Sequence, residues 1–360
     1  MKVLVWQWSR FGGPPAVAAA LARGLAELSG VGVALSLARA AEILQTPVAP
    51  RCDLPVDTYR GHLGFVWRLA TAPLTAGGLA RRIAKLRPDL AVCAQPGPLD
   101  LLMALALRRL RVPFVVLVHD AEHHPGDGQP LQMQLQRALC RRAAAIGALS
   151  SHVGEQLIAQ GLITAQRPLL RLDFPPLPVA LPPAEARRDD MLHLLCFGRL
   201  LSYKGLDLLA DALTRLGPQP NLRVRVVGSG PDSADLRRLQ AMPQVAVENR
   251  WVPEGELGTL LAWADALVLP YREASQSAVA GLALAAGRRV LATRVGGLTE
   301  QLGNEPLATL CDPDAASLAD ALLQLVRSPR FAGSAAARDT ASGWRDVGAD
   351  LLRQLRPLMH

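Results

Sequence analysis

Short apolar runs recur along the chain, separated by longer stretches whose apolar residues fall three or four positions apart. In the first half the runs are Lys2 to Trp8, Val31 to Leu37, Leu90 to Ala94, Pro113 to Val118 and Ala145 to Leu149. In the second half they are His193 to Phe197, Leu222 to Val227, Val245 to Val247, Ala266 to Leu269 and Arg289 to Ala292. Such alternation predicts parallel strands covered by helices. Between the halves, Leu172 to Asp190 carries Pro175, Pro176, Pro178, Pro182 and Pro183 without apolar period, the mark of a connection between domains. The expected fold is therefore α/β, with two Rossmann-like doubly wound domains over residues 1–171 and 191–340, joined by 172–190. Val347, Leu351, Leu355 and Leu358 predict a terminal amphipathic helix within 341–360, expected to pack back on the first domain. Open parallel sheets take ligands at the carboxyl ends of their strands, and two facing sheets would enclose a cleft.

Composition narrows the partners. Half of the 360 residues are hydrophobic and 19% are charged, which excludes a disordered chain. The net charge of +8 suits anionic partners without choosing among them, and no basic module interleaved with aromatics supports nucleic acid. Of the 39 basic side chains only Lys2, Lys85 and Lys204 are lysines, so each stands against an arginine background. The 5 cysteines show no C-x-x-C spacing, which argues against a disulfide framework or zinc knuckle and favours a reducing cytoplasm. The apolar start is too short for a signal peptide, and Ala274 to Gly287 is too short to cross a bilayer, so any membrane contact is expected to be peripheral.

Six segments sit where ligands would bind. Ser9 to Pro14 places Gly12 and Gly13 between the first strand and a helix, either as a tight turn or as a close approach to phosphate at a helix start. His119-Asp120 follows an apolar strand, with His119 able to hydrogen-bond a substrate hydroxyl and Asp120 expected to orient the imidazole. Glu122, His123, His124 and Asp127 suggest a metal, but they occupy a Pro/Gly loop without the helical spacing of a zinc site, so no metal is expected and both histidines read as solvated. Gly198 to Gly205 presents Arg199 and Lys204, either a diphosphate clamp or an exposed basic loop. Gly228 opens a glycine turn. Trp251 and Val252 form an extended segment suited to a planar base, or else Trp251 is a core residue. Tyr271 to Ser277 leads into a helix of small residues whose free N–H groups face whatever binds there.

Taken in this order, the later five segments resemble the GT-B fold retaining glycosyltransferases of family 4, group 1. The resemblance is strongest over residues 194–302, through FGRLLSYKGLDLLADAL, VRVVGSGPD and ADALVLPYREASQSAVAGLALAAGRRVLATRVGGLTE. It implies a nucleotide-diphosphate sugar as donor, with Arg199 and Lys204 on the diphosphate and Gly12 and Gly13 closing over the distal phosphate. It further implies His119 beside the transferred sugar, the segment at Trp251 and Val252 on the base, and retention of configuration without a metal ion or other cofactor. The acceptor it implies is a glycan or a lipid-linked sugar of cell-surface polysaccharide or glycolipid synthesis.

One departure is plain. The family carries two glutamates separated by seven residues, and their places fall at Ala274 and Leu282. The Ser-Gln-Ser stretch resembles a branch in which that pattern is altered, so Glu273, Ser275, Gln276 and Ser277 are expected to supply sugar and phosphate contacts. A nucleotide-binding protein of the same fold without turnover is the alternative. A nicotinamide dehydrogenase is excluded, because no strand-to-helix turn reads G-x-G-x-x-G. Finally, Leu79, Ile83 and Leu86 stripe one face of a helix that begins near Gly77, while Arg81, Arg82 and Lys85 gather off it. That helix is expected either to cover the sheet with its arginines in water or to draw the protein to an anionic membrane face, with Tyr59, Phe65 and Trp67 adding interfacial contacts.

Overall fold

The computed structural model describes residues 1–46, 49–59, 61–126, 130–182, 191–328 and 340–358. Asp127 and residues 183–190 of the expected connection lie outside these. The chain divides into two compact units, one of Met1–His123, Gly128–Pro175 and Ala341–His360, the other of His124–Asp127 and Pro176–Thr340. The boundary between the units falls within the proline-rich stretch, between Pro175 and Pro176.

The first unit runs β1 (Lys2–Gln7), α1 (Gly13–Ala26), β2 (Gly32–Leu37), α2 (Gly61–Ala70), α3 (Ala72–Leu86), β3 (Leu90–Cys93), α4 (Asp100–Leu110), β4 (Phe114–Val118), α5 (Pro130–Cys140), β5 (Ala145–Ala148), α6 (Ser151–Ala159) and β6 (Leu169–Arg171). Its six strands are all parallel, in the order β2-β1-β3-β4-β5-β6. Every residue of β3, β4 and β5 is buried, which is why these segments lack polar alternation. The second unit runs β7 (Leu192–Phe197), α7 (Leu206–Leu216), β8 (Leu222–Gly228), α8 (Ala234–Gln240), β9 (Val245–Asn249), α9 (Leu257–Trp263), β10 (Ala266–Leu269), α10 (Ala278–Ala285), β11 (Arg289–Thr293), α11 (Gly296–Leu302), β12 (Ala308–Cys311) and α12 (Ala315–Arg327). Its six parallel strands order as β12-β11-β10-β7-β8-β9, so the chain reverses direction across the sheet between β7 and β10. Both sheets are doubly wound and Rossmann-like.

Two edge strands escaped the apolar pattern. β6 spans only Leu169–Arg171, and β12 leaves Ala308, Thr309 and Leu310 partly or fully in solvent, so neither makes a buried apolar run. The terminal helix α13 (Ala341–Leu355) belongs to the first unit and packs on α1. The two helices approach to backbone contact: a Cβ on Gly24 would lie 2.3 Å from the Trp344 carbonyl oxygen. Among the described residues no helix is long and apolar enough to cross a membrane. The five cysteines are free thiols, with Cys93, Cys140, Cys196 and Cys311 buried.

Candidate functional site

In a doubly wound sheet, the loops that leave the two strands at the reversal point diverge and open a crevice. In the second unit these are the loops after β7 and β10, which carry Arg199, Lys204 and the Tyr271–Ser277 segment. They are stitched together directly. Gly205, at φ 67°, passes so close to β10 that a Cβ there would lie 1.8 Å from the Pro270 carbonyl oxygen. The Arg272 amide donates to the Tyr203 carbonyl at 2.8 Å, and the Arg272 guanidinium pairs with Asp207 at 3.0 Å from Nε. The loop after β8 joins them: the Leu200 amide donates to the Ser229 carbonyl at 2.9 Å. Gly228, at φ 152°, has no room for a side chain against Gly198. It therefore offers only backbone groups to the crevice.

Between these loops two tyrosines hold the cations. The Lys204 ammonium lies 3.7 Å from the Tyr271 ring centre and 4.8 Å from that of Tyr203, and Arg199 donates to the Tyr203 hydroxyl at 2.9 Å. Burial pushes the Tyr271 phenol up, so it stays protonated, with its oxygen 3.4 Å from the Ser277 hydroxyl. His124 stacks on Tyr203, ring centres 4.6 Å apart, and its Nδ1–H donates to Glu273 Oε1 at 2.7 Å. His124 is thus a built part of the loop cluster, not the solvated residue that the sequence suggested; His123 is exposed. Among the described residues no three His, Cys, Asp or Glu side chains gather as metal ligands.

Ser277 caps α10, its hydroxyl accepting from the Ala280 amide at 3.2 Å, and its backbone is bound on both sides by the Gln301 amide group. Ser275 is buried. Gln276 differs from both: its Nε2 and Oε1 are buried without a hydrogen-bond partner among the described residues. Beyond β9, Val252 is buried while Trp251 is 45% exposed, which removes the core alternative for the tryptophan.

The first unit carries the remaining residues. Gly12 takes φ 78° at the start of α1, a left-handed conformation that favours glycine, and Gly13, Pro14 and Pro15 form the first turn. His119 is buried after β4, where its Nε2–H donates to the Ala94 carbonyl at 3.0 Å and its ring meets Phe174 edge-on at 5.3 Å. Burial lowers its pKa, the Asp120 charge opposing this, so the imidazole stays neutral. The Ala94 carbonyl holds the ring through Nε2, and the Asp120 charge acts on the same imidazole. The Asp120 carbonyl is itself held by Gln136 at 2.7 Å. Phe174 in turn meets Trp344 of α13 edge-on at 6.0 Å.

Comparison with known proteins places this arrangement. The family described as "Glycosyl transferase 4-like domain" matches residues 12–171, and "Glycosyl transferases group 1" matches residues 192–328. This chain belongs to the GT-B group 1 glycosyltransferases. It is 34% identical over 183 residues to D-inositol 3-phosphate glycosyltransferase of Pseudarthrobacter chlorophenolicus, covering 46% of this chain and 44% of the relative. It is 28% identical over 242 residues to a sulfoquinovosyl transferase of Arabidopsis thaliana, covering 61% of this chain and 45% of the relative. The chain therefore matches less than half the length of these relatives. The fold matches Anabaena HepE, solved with UDP and glucose, at TM-score 0.71 and 16% identity over 99% of this chain and 100% of that one. It also matches sucrose-phosphate synthase of Thermosynechococcus elongatus at TM-score 0.64 and 18% identity, over 99% and 98% of the two chains.

Within this group 1 glycosyltransferase, Ala274 and Leu282 are both buried apolar residues, so neither offers a hydrogen-bonding side chain. What the sequence reading missed is the aromatic bracket on the cations. The signal was present: the chain has only 3 tyrosines, and Tyr203 and Tyr271 each stand beside a residue already singled out.

Proposed function

We propose that the chain transfers a sugar, with retention of configuration, from a nucleotide-diphosphate sugar to a hydroxyl of a glycan or lipid-linked acceptor. The observation that carries this reading is the pair Arg199 and Lys204 at the reversal point of a Rossmann-like sheet, held by Tyr203 and Tyr271. Two fixed cations there stabilise the charge that grows on the leaving diphosphate, and backbone N–H groups at the start of α10 add to them. Gly12 and Gly13 bring backbone close to the distal phosphate. His119, neutral and with Nε2–H committed to Ala94, leaves Nδ1 to accept from a sugar hydroxyl. The leaving phosphate oxygen takes the proton of the incoming hydroxyl on the face where the new bond forms. Trp251 and Val252 hold the base, and Glu273, Ser275, Gln276 and Ser277 line the sugar. No metal ion is required, since the two cations already offset the diphosphate. The relatives' names, an inositol phosphate glycosyltransferase and a sulfoquinovosyl transferase, support sugar transfer as the reaction class, and the reading adds a cytoplasmic enzyme lying peripherally on an anionic membrane face.

A second reading, a nucleotide-binding protein of this fold without turnover, is favoured by one observation: the apolar residues at 274 and 282. One experiment separates the two. A thermal-shift panel of nucleoside diphosphates identifies the base, because a ligand at 100 times its Kd stabilises by about 2.7 kcal/mol. The matching nucleotide sugars are then assayed for transfer and for hydrolysis, with and without EDTA. Binding without either reaction selects the silent protein, and no binding by any nucleotide defeats both readings.

A further inference from the structure

Of nine large hydrophobic side chains exposed among the described residues, four fall within one short segment: Leu63 at 89%, Val66 at 61%, Trp67 at 70% and Leu74 at 83%. The others are scattered, as single exposed apolar residues usually are. In α2 the usual amphipathic arrangement is reversed. Leu63, Val66, Trp67 and Ala70 share its exposed side, whereas Arg68 donates to the Thr58 carbonyl at 3.0 Å and Phe65 packs on the core beside Tyr59, ring centres 5.0 Å apart. The sequence expectation is corrected here, since Tyr59 and Phe65 pack inward and only Trp67 of the three aromatics stands out. In α3 the stripe of Leu79 and Ile83 is buried with Ala76 and Ala80. Its exposed side carries Leu74, Arg81 and Lys85, at intervals of seven and four that keep them in line along the helix. Lys85 then joins Lys2 and Arg87 around an open surface hollow at the end of α3.

Charge along this segment has one sign, ending at Asp57 and Asp89. From Thr58 to Pro88 the sequence holds no Asp or Glu and six Lys or Arg. An apolar row on the outer side of one helix, continued by cations along the next, fits neither bulk water nor an acidic protein alone. We propose that the outer side of α2 and α3 is a docking surface for an anionic phospholipid bilayer, with Leu63, Val66, Trp67 and Leu74 entering the interface and Arg81, Lys85 and Arg87 meeting headgroups. Tryptophan suits the boundary between headgroup and acyl chain, and the cations act within a Debye length of the lipid charge. α3 runs back into β3, so its first turn and α2 stand toward the carboxyl ends of the first sheet, the end that carries Gly12 and His119. A surface-bound acceptor would thereby be met at that end. The proposal rests on the peripheral reading given above and makes it specific.

The test is flotation of the full chain with vesicles of phosphatidylcholine alone or with about 30 mol % phosphatidylglycerol at low salt. The parent floats with the anionic vesicles and stays behind with the neutral ones. Leu63→Ser, Trp67→Ser and Leu74→Ser combined lower the bound fraction at least about ten-fold, and Arg81→Gln with Lys85→Gln lower affinity about thirty-fold. Both variants keep the parent's nucleotide affinity, since all five positions lie outside the proposed donor residues. A parent that ignores anionic vesicles, or apolar variants that float as the parent does, overturn the proposal. So does a dimer in sedimentation that the apolar variant abolishes while the parent ignores vesicles, which gives the face to a second copy of the chain. Nucleotide affinity is measured without vesicles, so its loss strikes the enzyme reading and leaves this one standing.

Discussion

The ammonium of Lys204 stands 3.7 Å from the centre of the Tyr271 ring and 4.8 Å from that of Tyr203. A lysine so held has lost much of its rotamer freedom before any anion arrives, so less entropy is spent when a diphosphate binds. Lys204→Ala and Arg199→Ala should each weaken nucleotide binding about ten- to a hundred-fold, the loss of one charge-assisted contact. Arg238→Ala, which removes an equal charge from an exposed ion pair with Asp211, serves as control. Calorimetric titration with UDP and GDP reads the result, and unchanged affinity in both site variants would sink the assignment.

His119 reaches α13 through Phe174, by edge contacts of 5.3 and 6.0 Å. His119→Ala should lower turnover by at least about a hundred-fold while nucleotide affinity moves little, because the residue is assigned to the sugar. Phe174→Ala should lower turnover less and cost about 2 kcal/mol of stability, with nucleotide affinity again unchanged. Steady-state transfer rates set beside UDP affinity decide the matter; a normal rate in His119→Ala reduces the histidine to a packing residue.

Gln276 allows a sharper distinction. An amide whose buried Nε2 and Oε1 find no partner among the described residues is costly unless a ligand completes it. Gln276→Leu should therefore leave the thermal midpoint unchanged or higher, yet raise the donor KM about ten-fold or more. A variant that melts earlier and transfers normally would show that the amide serves the fold alone.

Asp100, at the start of α4, is buried with its Oδ2 accepting from the Gly97 amide at 2.6 Å and the Cys93 thiol at 3.4 Å. Burial pushes its carboxyl up to about 6. The folded chain then holds this proton more tightly than the unfolded one. Its contribution is present below the ordinary carboxylate range near pH 4 and is lost as pH rises through about 6. Asp100→Asn keeps the Gly97 acceptor and removes the titration, so the variant should be more stable than the parent at pH 7.5 by on the order of 2 kcal/mol, with the difference fading by about pH 4. Thermal midpoints of both proteins across that range give the curve, and a constant difference refutes the assignment.

What could be read from the sequence follows from how far apart in the chain the cooperating residues lie. β4 announces itself because both its faces are covered, whereas β6 and β12 sit at sheet edges and are too short or too wet to leave an apolar run. Arg199 and Lys204 were legible as neighbours at a strand end. Their bracket was not, because Tyr271 meets Lys204 only through the reversal between β7 and β10, and His124 meets Glu273 across 149 positions. The same limit hid α2. Gly77 and Gly78 look like a helix start, yet α3 begins at Ala72 and runs straight through them.

The packing of α13 on α1 carries a consequence for synthesis. Trp344 is almost wholly buried in the first unit, so that unit's core stays open until the last helix has left the ribosome. Translation from Pro176 to the final helix takes on the order of ten seconds or more. During that interval the α1 surface around Gly24 and Leu25 has no cover, and a nascent chain in this state is a substrate for chaperones and proteases. A separately expressed first unit would need α13 grafted after Pro175, and shortening the chain at Thr340 would damage the end of the molecule most distant in sequence from the cut.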